Sequence, residues 1–215
     1  DVSLMNLNVI FAIDRAGDVG DDGENHQGVY DIALFSTLPN MTMMSPADYD
    51  ELEKMLDYSV EYRNGPVAIR YPRGQGKRNL APDLPIEHGK AVKIMDGEDL
   101  TIAVTGHMLE PVLEAARELK NRGICCDVLY YRFIRPFDTE MLCKSVLKTR
   151  FLMTVEDHVK SGGFGSIALF NLNGAGVNIP VEIAAFPDIP IEHGKRSLLY
   201  EKFRLDPKGL TERVL

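Results

Sequence analysis

The sequence of 215 residues has no tryptophan, only three cysteines and no excess of basic side chains. Cys125, Cys126 and Cys143 are odd in number and two are adjacent, so their spacing fits neither a disulfide framework nor a zinc site. We therefore expect reduced thiols and a cytoplasmic location. The formal net charge of -8 argues against a nucleic-acid partner, because such a protein must neutralise a polyphosphate backbone.

Long hydrophobic runs are also missing. No stretch approaches the roughly 18 apolar residues that a membrane span requires, and no secretory signal peptide opens the sequence. We therefore expect no membrane partner. Hydrophobic residues (45%) and charged residues (26%) instead have the ordinary balance of a globular protein. Asp1 leads straight into a strand pattern, and we interpret it as a cut in a longer chain.

Strand and helix signals alternate along the sequence, which predicts an α/β fold with parallel sheets and right-handed crossovers. The run NVIFAI at residues 8–13 is typical of a strand covered on both faces. Ser45 and Pro46 suit a helix cap and a first helical position, so a long helix is predicted from there to Asn64. Further strands are predicted at residues 40–44, 66–71, 100–105, 124–131, 151–155 and 181–186, and helices at 27–37, 108–122, 139–148, 164–171, 197–203 and 208–214.

The most informative loop is RAGDVGDDGENHQG, residues 15–28. It follows the first predicted strand, and open α/β sheets bind ligands where their strands end. Glycines let backbone approach a ligand closely, and His26 can move protons near neutral pH. A calcium loop starting at Asp18 would need an acidic twelfth residue, where Val29 stands. A phosphate-binding P-loop would need a Gly-Lys-Ser/Thr ending. On composition alone, an acidic surface loop is equally compatible with this stretch.

Two other segments stand at predicted strand ends. Arg73 lies where a strand gives way to a glycine-rich turn, a favourable place to hold an anion, although Lys77 and Arg78 make a solvated basic stretch the alternative. Residues 156–158 precede the sequence GGFG and a predicted helix. Amides at a helix start can hold phosphate, but glycines that allow tight helix packing are the favoured interpretation.

Several ordered motifs together carry a family resemblance. The loop at residues 15–28, the segments Leu38-Pro39-Asn40 and Pro46-Ala47-Asp48, GPVAIRYPRGQG and TVEDHVKSGGFGS resemble 1-deoxy-D-xylulose-5-phosphate synthases, a branch of the transketolase family. The resemblance implies part of a pyrimidine-binding parallel-sheet domain at residues 1–73 and a transketolase C-terminal α/β domain at residues 91–215. Residues 74–90, rich in glycine and proline, would be the linker.

The resemblance also implies an activity. Synthases of this kind condense pyruvate, with loss of CO2, and D-glyceraldehyde 3-phosphate on thiamine diphosphate with Mg²⁺, as homodimers, for isoprenoid and thiamine precursor synthesis. Carried onto this sequence, Arg15 and Arg73 would bind the acceptor's phosphate, His26 would lie beside the reacting carbons and Asp22 would position substrate. Two guanidiniums suit a dianion, since each forms charge-assisted hydrogen bonds.

Two residues depart from the family pattern. Asn25 replaces the usual threonine before the histidine, and Asp21 replaces a small residue, which adds negative charge beside the phosphate site. The family's thiamine-activating glutamate, its stacking aromatic residues and its diphosphate- and magnesium-binding groups are expected upstream of Asp1. We therefore expect that these residues alone hold no cofactor and do not turn over.

Two alternatives remain open at this level. The chain could be the β part of a 2-oxo-acid dehydrogenase or another transketolase relative, which would ignore glyceraldehyde 3-phosphate. It could also be a non-catalytic partner chain that completes a split enzyme.

Overall fold

The structure, a computed structural model, describes residues 1–215, with the side chain of Asp21 left outside the description. Two sheets organise the chain, with helices packed on them, as the alternating pattern predicts. In chain order the elements are β1 (Ile10–Ile13), α1 (Asp31–Ser36), β2 (Thr42–Met44), α2 (Tyr49–Glu61), β3 (Val67–Arg70), β4 (Val92–Met95), β5 (Leu100–Thr105), α3 (Leu109–Asn121), β6 (Cys126–Tyr131), β7 (Phe133–Arg135), α4 (Thr139–Thr149), β8 (Leu152–Val159), α5 (Phe164–Gly174), β9 (Val181–Phe186), α6 (Arg196–Lys202) and α7 (Pro207–Val214).

The first sheet has the strand order β1-β3-β2-β7. β1 and β2 both run parallel to β3, and Ile13 is in register with Arg70. β3 is buried along its whole length, which explains its nearly continuous apolar sequence. Because β1 and β3 are parallel neighbours, the loops that follow them emerge side by side at one edge of the sheet.

The second sheet has the order β4-β6-β5-β8-β9, in which β6, β5, β8 and β9 are parallel and β4 is antiparallel. Apolar side chains of α3, α6 and α7 pack on one face, and those of α4 and α5 pack on the other. Burial on both faces makes β5, β6 and β8 almost wholly inaccessible, so nearly every strand residue contributes to the core.

The start of α2 differs from the prediction. The helix is capped by Asp48, whose carboxylate accepts a hydrogen bond from the Glu51 amide at 2.8 Å, and not by Ser45 followed by Pro46. Ser45 is held by the second sheet instead: its amide donates to the Arg132 carbonyl at 3.0 Å, and its carbonyl accepts from the Tyr130 hydroxyl at 2.9 Å. A tertiary contact therefore delays a helix that the local sequence would start earlier.

Other differences have similar causes. α1 begins at Asp31, later than predicted, and Leu34 within it is 66% exposed. β4 and β7 were not predicted, because both are short and gain their partners only from the fold. β7 pairs antiparallel with β2 and so adds a strand from the second half of the chain to the first sheet.

The cysteines and the helices bear on two sequence expectations. Cys125, Cys126 and Cys143 are all free, and Cys125 is exposed. Among the described residues, no helix is both long enough and apolar enough to cross a membrane.

Candidate functional site

Two predicted anion-binding arginines meet at the edge of the first sheet. Arg15 closely follows β1 and Arg73 closely follows β3. The two strand ends are joined beyond the sheet, since the Ala16 amide donates to the Tyr71 carbonyl at 3.0 Å. Arg15 adopts a left-handed backbone with φ of 59°, a conformation that is uncommon for side chains other than glycine. Both guanidiniums remain about half exposed, so a ligand can reach them.

Asp22 connects the two arginines. Its Oδ2 lies 3.5 Å from Nε of Arg15, and its Oδ1 pairs with Nη1 of Arg73. Arg15 also contacts the Asp14 carboxylate at 3.2 Å. The structure thus brings Arg15, Asp22 and Arg73 together, and a carboxylate occupies the position between the guanidiniums where an anionic group would be attracted.

The loop that carries Arg15 and Asp22 is closed at its base. Gly17 and Gly28 exchange backbone hydrogen bonds of 3.0 and 2.8 Å. A Cβ at Gly28 would collide with the Arg15 carbonyl, so only glycine permits this approach. The closure makes residues 17–28 a compact loop at the sheet edge.

His26 ends a short 3-10 turn, Glu24–His26, within this loop. Its backbone amide donates to the Gly23 carbonyl at 3.1 Å, and its side chain is exposed. Asn25 is also exposed. The imidazole therefore lies on the same short loop as Asp22 and is open to a ligand. The side chain of Asp21, where sequence reasoning anticipates an added negative charge, lies outside the described part of the structure.

A buried ionic network supports the edge from below, and sequence reasoning did not identify it. Arg70, the last residue of β3, donates to Asp31 at 2.7 Å and to Asp157 of β8 at 2.6 Å. All three side chains are nearly inaccessible. Burial acts to raise the pKa of Asp157, but the charges of Arg70 and His107 outweigh it and hold that pKa at about 2. A charged residue inside an apolar strand, as in PVAIRY, was the available signal.

His107 extends this network. Its Nδ1 lies 3.5 Å from Asp157 and its Nε2 is 2.8 Å from the Tyr200 hydroxyl. Burial lowers the pKa of His107, and the Asp157 charge opposes that shift. The network therefore links β3 and β8 to α6, below the loop that carries Arg15.

The segment at residues 156–158 lies within β8 and not in a loop, which corrects the prediction. Glu156 accepts hydrogen bonds from the Phe164 amide at 2.5 Å and the Gly165 amide at 2.8 Å. A Cβ on Gly163 would collide with the carboxyl group of Glu156. The amides that start α5 are thus taken by an internal carboxyl, and the glycines serve packing as favoured above.

Burial raises the pKa of Glu156 to about 8, against the opposing effect of the two amide donors. A folded-state pKa above the ordinary value of 4.5 means that the folded chain binds a proton more tightly than the unfolded chain does. The stabilisation from this proton therefore declines as pH rises from about 4.5 to about 8. We expect Glu156→Gln to remove that contribution, which amounts to as much as about 1.4 kcal/mol per pH unit. Urea unfolding of both proteins at several pH values in this range measures it. Equal slopes for the two proteins would contradict the expectation.

A second buried ion pair joins the two halves of the chain. Arg132 donates from Nε and Nη2 to the two carboxylate oxygens of Glu51 in α2, both at 2.7 Å. It also donates to the carbonyls of Pro85 at 2.8 Å and Leu84 at 3.1 Å. One guanidinium therefore holds α2, the region after β6 and the segment at residues 82–85 together.

The described side chains include two half-exposed guanidiniums that suit anion binding. Among them, no group of three or more histidine, cysteine, aspartate or glutamate side chains is placed to hold a metal ion. Both fully buried glutamates are already engaged, Glu51 with Arg132 and Glu156 with helix amides. Neither is free to act on a thiamine ring.

Comparison with known proteins agrees with this architecture. Residues 89–210, more than half of the chain, match the family described as transketolase, C-terminal domain. Residues 1–78 match the transketolase pyrimidine binding domain. The chain belongs to the transketolase family. The family resemblance of the motifs is confirmed.

Curated relatives of this transketolase-family chain are named 1-deoxy-D-xylulose-5-phosphate synthase. The protein from Clostridium tetani is 40% identical over 215 residues, and that from Caldanaerobacter subterraneus is 41% identical over 218 residues. Each alignment covers 100% of this chain but 35% of the relative. The chain therefore spans about a third of the length of the curated relatives that it matches.

Solved structures share the fold. One of them is described as a split gene transketolase, inactive beta4 tetramer, and is 32% identical to this chain with a TM-score of 0.86. The match covers 98% of this chain and 66% of the solved chain. Transketolase from Campylobacter jejuni is 22% identical with a TM-score of 0.77, covering 99% of this chain and 32% of that one. The latter likeness shows the fold alone.

Proposed function

We propose that this chain supplies the acceptor-binding side of a 1-deoxy-D-xylulose-5-phosphate synthase, a transferase that joins pyruvate, with loss of CO2, to D-glyceraldehyde 3-phosphate for isoprenoid and thiamine precursor synthesis in the cytoplasm. The observation that carries the proposal is the convergence of Arg15 and Arg73 on one carboxylate at the edge of the first sheet. Curated relatives over the full length of the chain bear this enzyme's name.

The chemistry of the site follows from these groups. Arg15 and Arg73 bind the acceptor's phosphate by charge-assisted hydrogen bonds, and this local pair reconciles a phosphorylated substrate with a net charge of -8. Asp22 keeps the two guanidiniums oriented toward one point. His26, exposed on the same loop, donates a proton to the aldehyde oxygen as the new carbon–carbon bond forms.

Thiamine diphosphate, when bound, would supply the carbanion chemistry that lets pyruvate lose CO2. Among the described residues, no group is placed to hold its Mg²⁺, and both buried glutamates are engaged. We propose that the groups that activate thiamine diphosphate and hold its Mg²⁺ belong to other residues of the whole protein. Residues 1–73, part of a pyrimidine-binding domain, and residues 91–215, joined by 74–90, contribute the substrate-binding side chains.

We expect Arg73→Ala to weaken binding of inorganic phosphate or D-glyceraldehyde 3-phosphate about tenfold, since each guanidinium contributes charge-assisted hydrogen bonds. Arg15→Ala should have a similar effect. Isothermal titration of the 215-residue chain measures both. Arg122→Ala is a matched control, because Arg122, the residue after α3, is half exposed and pairs only with Glu118 of α3 among the described side chains. Unchanged affinity in both arginine variants would remove the basis of the proposal.

A related proposal concerns activity. We propose that the chain does not turn over alone and that the whole enzyme is a homodimer, as the resemblance implies. The solved split-gene transketolase, described as an inactive tetramer, favours this proposal. The test is an assay for deoxyxylulose phosphate with pyruvate, glyceraldehyde phosphate, thiamine diphosphate and Mg²⁺. Product formation by the purified chain alone would refute it.

A further inference from the structure

Residues 192–194, just before α6, form hydrogen bonds with the loop at residues 15–28, which carries part of the candidate site. The Gly194 amide donates to the Gly20 carbonyl at 3.1 Å. Gln27 donates to the Glu192 carbonyl at 3.1 Å and accepts from the Val19 amide at 2.9 Å. These contacts fix the two sides of the loop against a part of the chain that lies more than 160 residues away in sequence.

Arg196, the first residue of α6, adds a charged contact to the same loop. Its Nε donates to the Asp18 carboxylate at 2.8 Å, and its Nη2 donates to the Asp18 carbonyl at 2.9 Å. Asp18 is wholly buried, and its second carboxylate oxygen has no hydrogen-bond partner within the described part of the chain. Arg196 is therefore the cation on which this buried charge depends.

The same guanidinium also lies near the turn that carries Arg73. Its Nη1 would be 3.9 Å from a Cβ built on Gly74, the residue after Arg73. Arg196 thus holds the loop after β1 by hydrogen bonds and lies close to the turn after β3, the two segments that present the candidate phosphate-binding arginines. The Arg196 side chain is about one-third exposed, so it is not fully desolvated. Its hydrogen bonds to Asp18 also keep it from rotating freely.

We propose that Arg196 is a positioning residue for the acceptor site. It sets the loop with Arg15 and Asp22 in register with the turn of Arg73, so that both guanidiniums meet one phosphate. This role rests on the proposed function, because it assumes that the arginine pair binds a phosphate. The C-terminal half of the chain then contributes to acceptor affinity without contacting the ligand.

The test compares Arg196→Gln and Arg196→Lys with wild type, with Arg122→Gln as a surface control. Isothermal titration with inorganic phosphate and D-glyceraldehyde 3-phosphate gives the affinity. We expect about a tenfold loss in Arg196→Gln, the size of one lost charged hydrogen bond, and a smaller loss in Arg196→Lys, which keeps the charge but not the two-point contact. Amide hydrogen exchange should accelerate within residues 15–28 and not in β5 or β8.

A second comparison separates positioning from general stabilisation. In an Arg73→Ala background, Arg196→Gln should cost much less than tenfold, since there is no longer a pair of guanidiniums to align. Equal losses in both backgrounds, or faster loop exchange with unchanged affinity, would overturn the positioning role. A wild-type chain that binds no phosphate would overturn the proposed function and this role together, whereas wild-type binding that ignores Arg196→Gln would overturn only the role.

Discussion

Replacing Arg70 with methionine is expected to lower the free energy of unfolding by about 3–5 kcal/mol, because it leaves two buried carboxylates without their cation. Asp157 is fully inaccessible and Asp31 nearly so, and Arg70 is the partner that donates to both. Methionine fills a similar volume, so the loss reports the charge and not a cavity. Urea denaturation at pH 7 measures it.

Arg78→Met is the matched control for this change. Arg78 also pairs with two carboxylates, Asp50 and Glu53, but it lies on the surface, where water screens the interaction. Its replacement should leave the unfolding midpoint almost unchanged. The destabilisation of Arg70→Met should also shrink at pH 4, where uncompensated aspartates can be neutralised by protonation. Equal effects of the two variants at pH 7 would show that the buried network contributes no more than a surface pair.

Arg132→Met is expected to have an effect of similar size, about 3–5 kcal/mol, because it leaves buried Glu51 without a hydrogen-bonded cation and with only Lys54, 4.0 Å away, to compensate its charge. Burial already raises the pKa of Glu51, and Arg132 opposes that shift. Without Arg132 the carboxyl must be protonated to stay buried, so the loss should be larger at pH 7 than at pH 4. The carbonyls of Leu84 and Pro85 would also lose their donor.

Two measurements distinguish a local from a global effect of this change. Urea unfolding gives the stability, and limited proteolysis at residues 74–90 gives the local opening of the segment that Arg132 holds. The double variant Arg132→Met with Glu51→Leu should recover much of the stability, since it removes the orphaned charge. It should not restore protease resistance at residues 82–85. No recovery in the double variant would show that the contacts to the segment, and not the ion pair, dominate.

The sequence by itself determined the fold class, the order of most elements and the family. These depend on local signals: buried parallel strands have continuous apolar runs, and β5 and β9 begin and end as their sequences predict. The sequence placed Arg15 and Arg73 after predicted strand ends, where parallel strands bring their loops to one edge. The family resemblance named these two arginines and Asp22 as candidate site residues. Their roles, like that of His26 and the division at residues 74–90, stay predictions.

Only the tertiary structure decided how that edge is held. The cap of α2, the pairing of β7 with β2, and the partners of Arg70 and Arg132 depend on residues that are distant in sequence. An arginine in a strand gives the same sequence pattern whether its guanidinium donates to water or to a buried aspartate. The periodicity of the sequence therefore cannot identify its hydrogen-bond partner. The sequence located the candidate arginines, and the fold identified the charges beneath them, including the contact of Arg196 with Asp18.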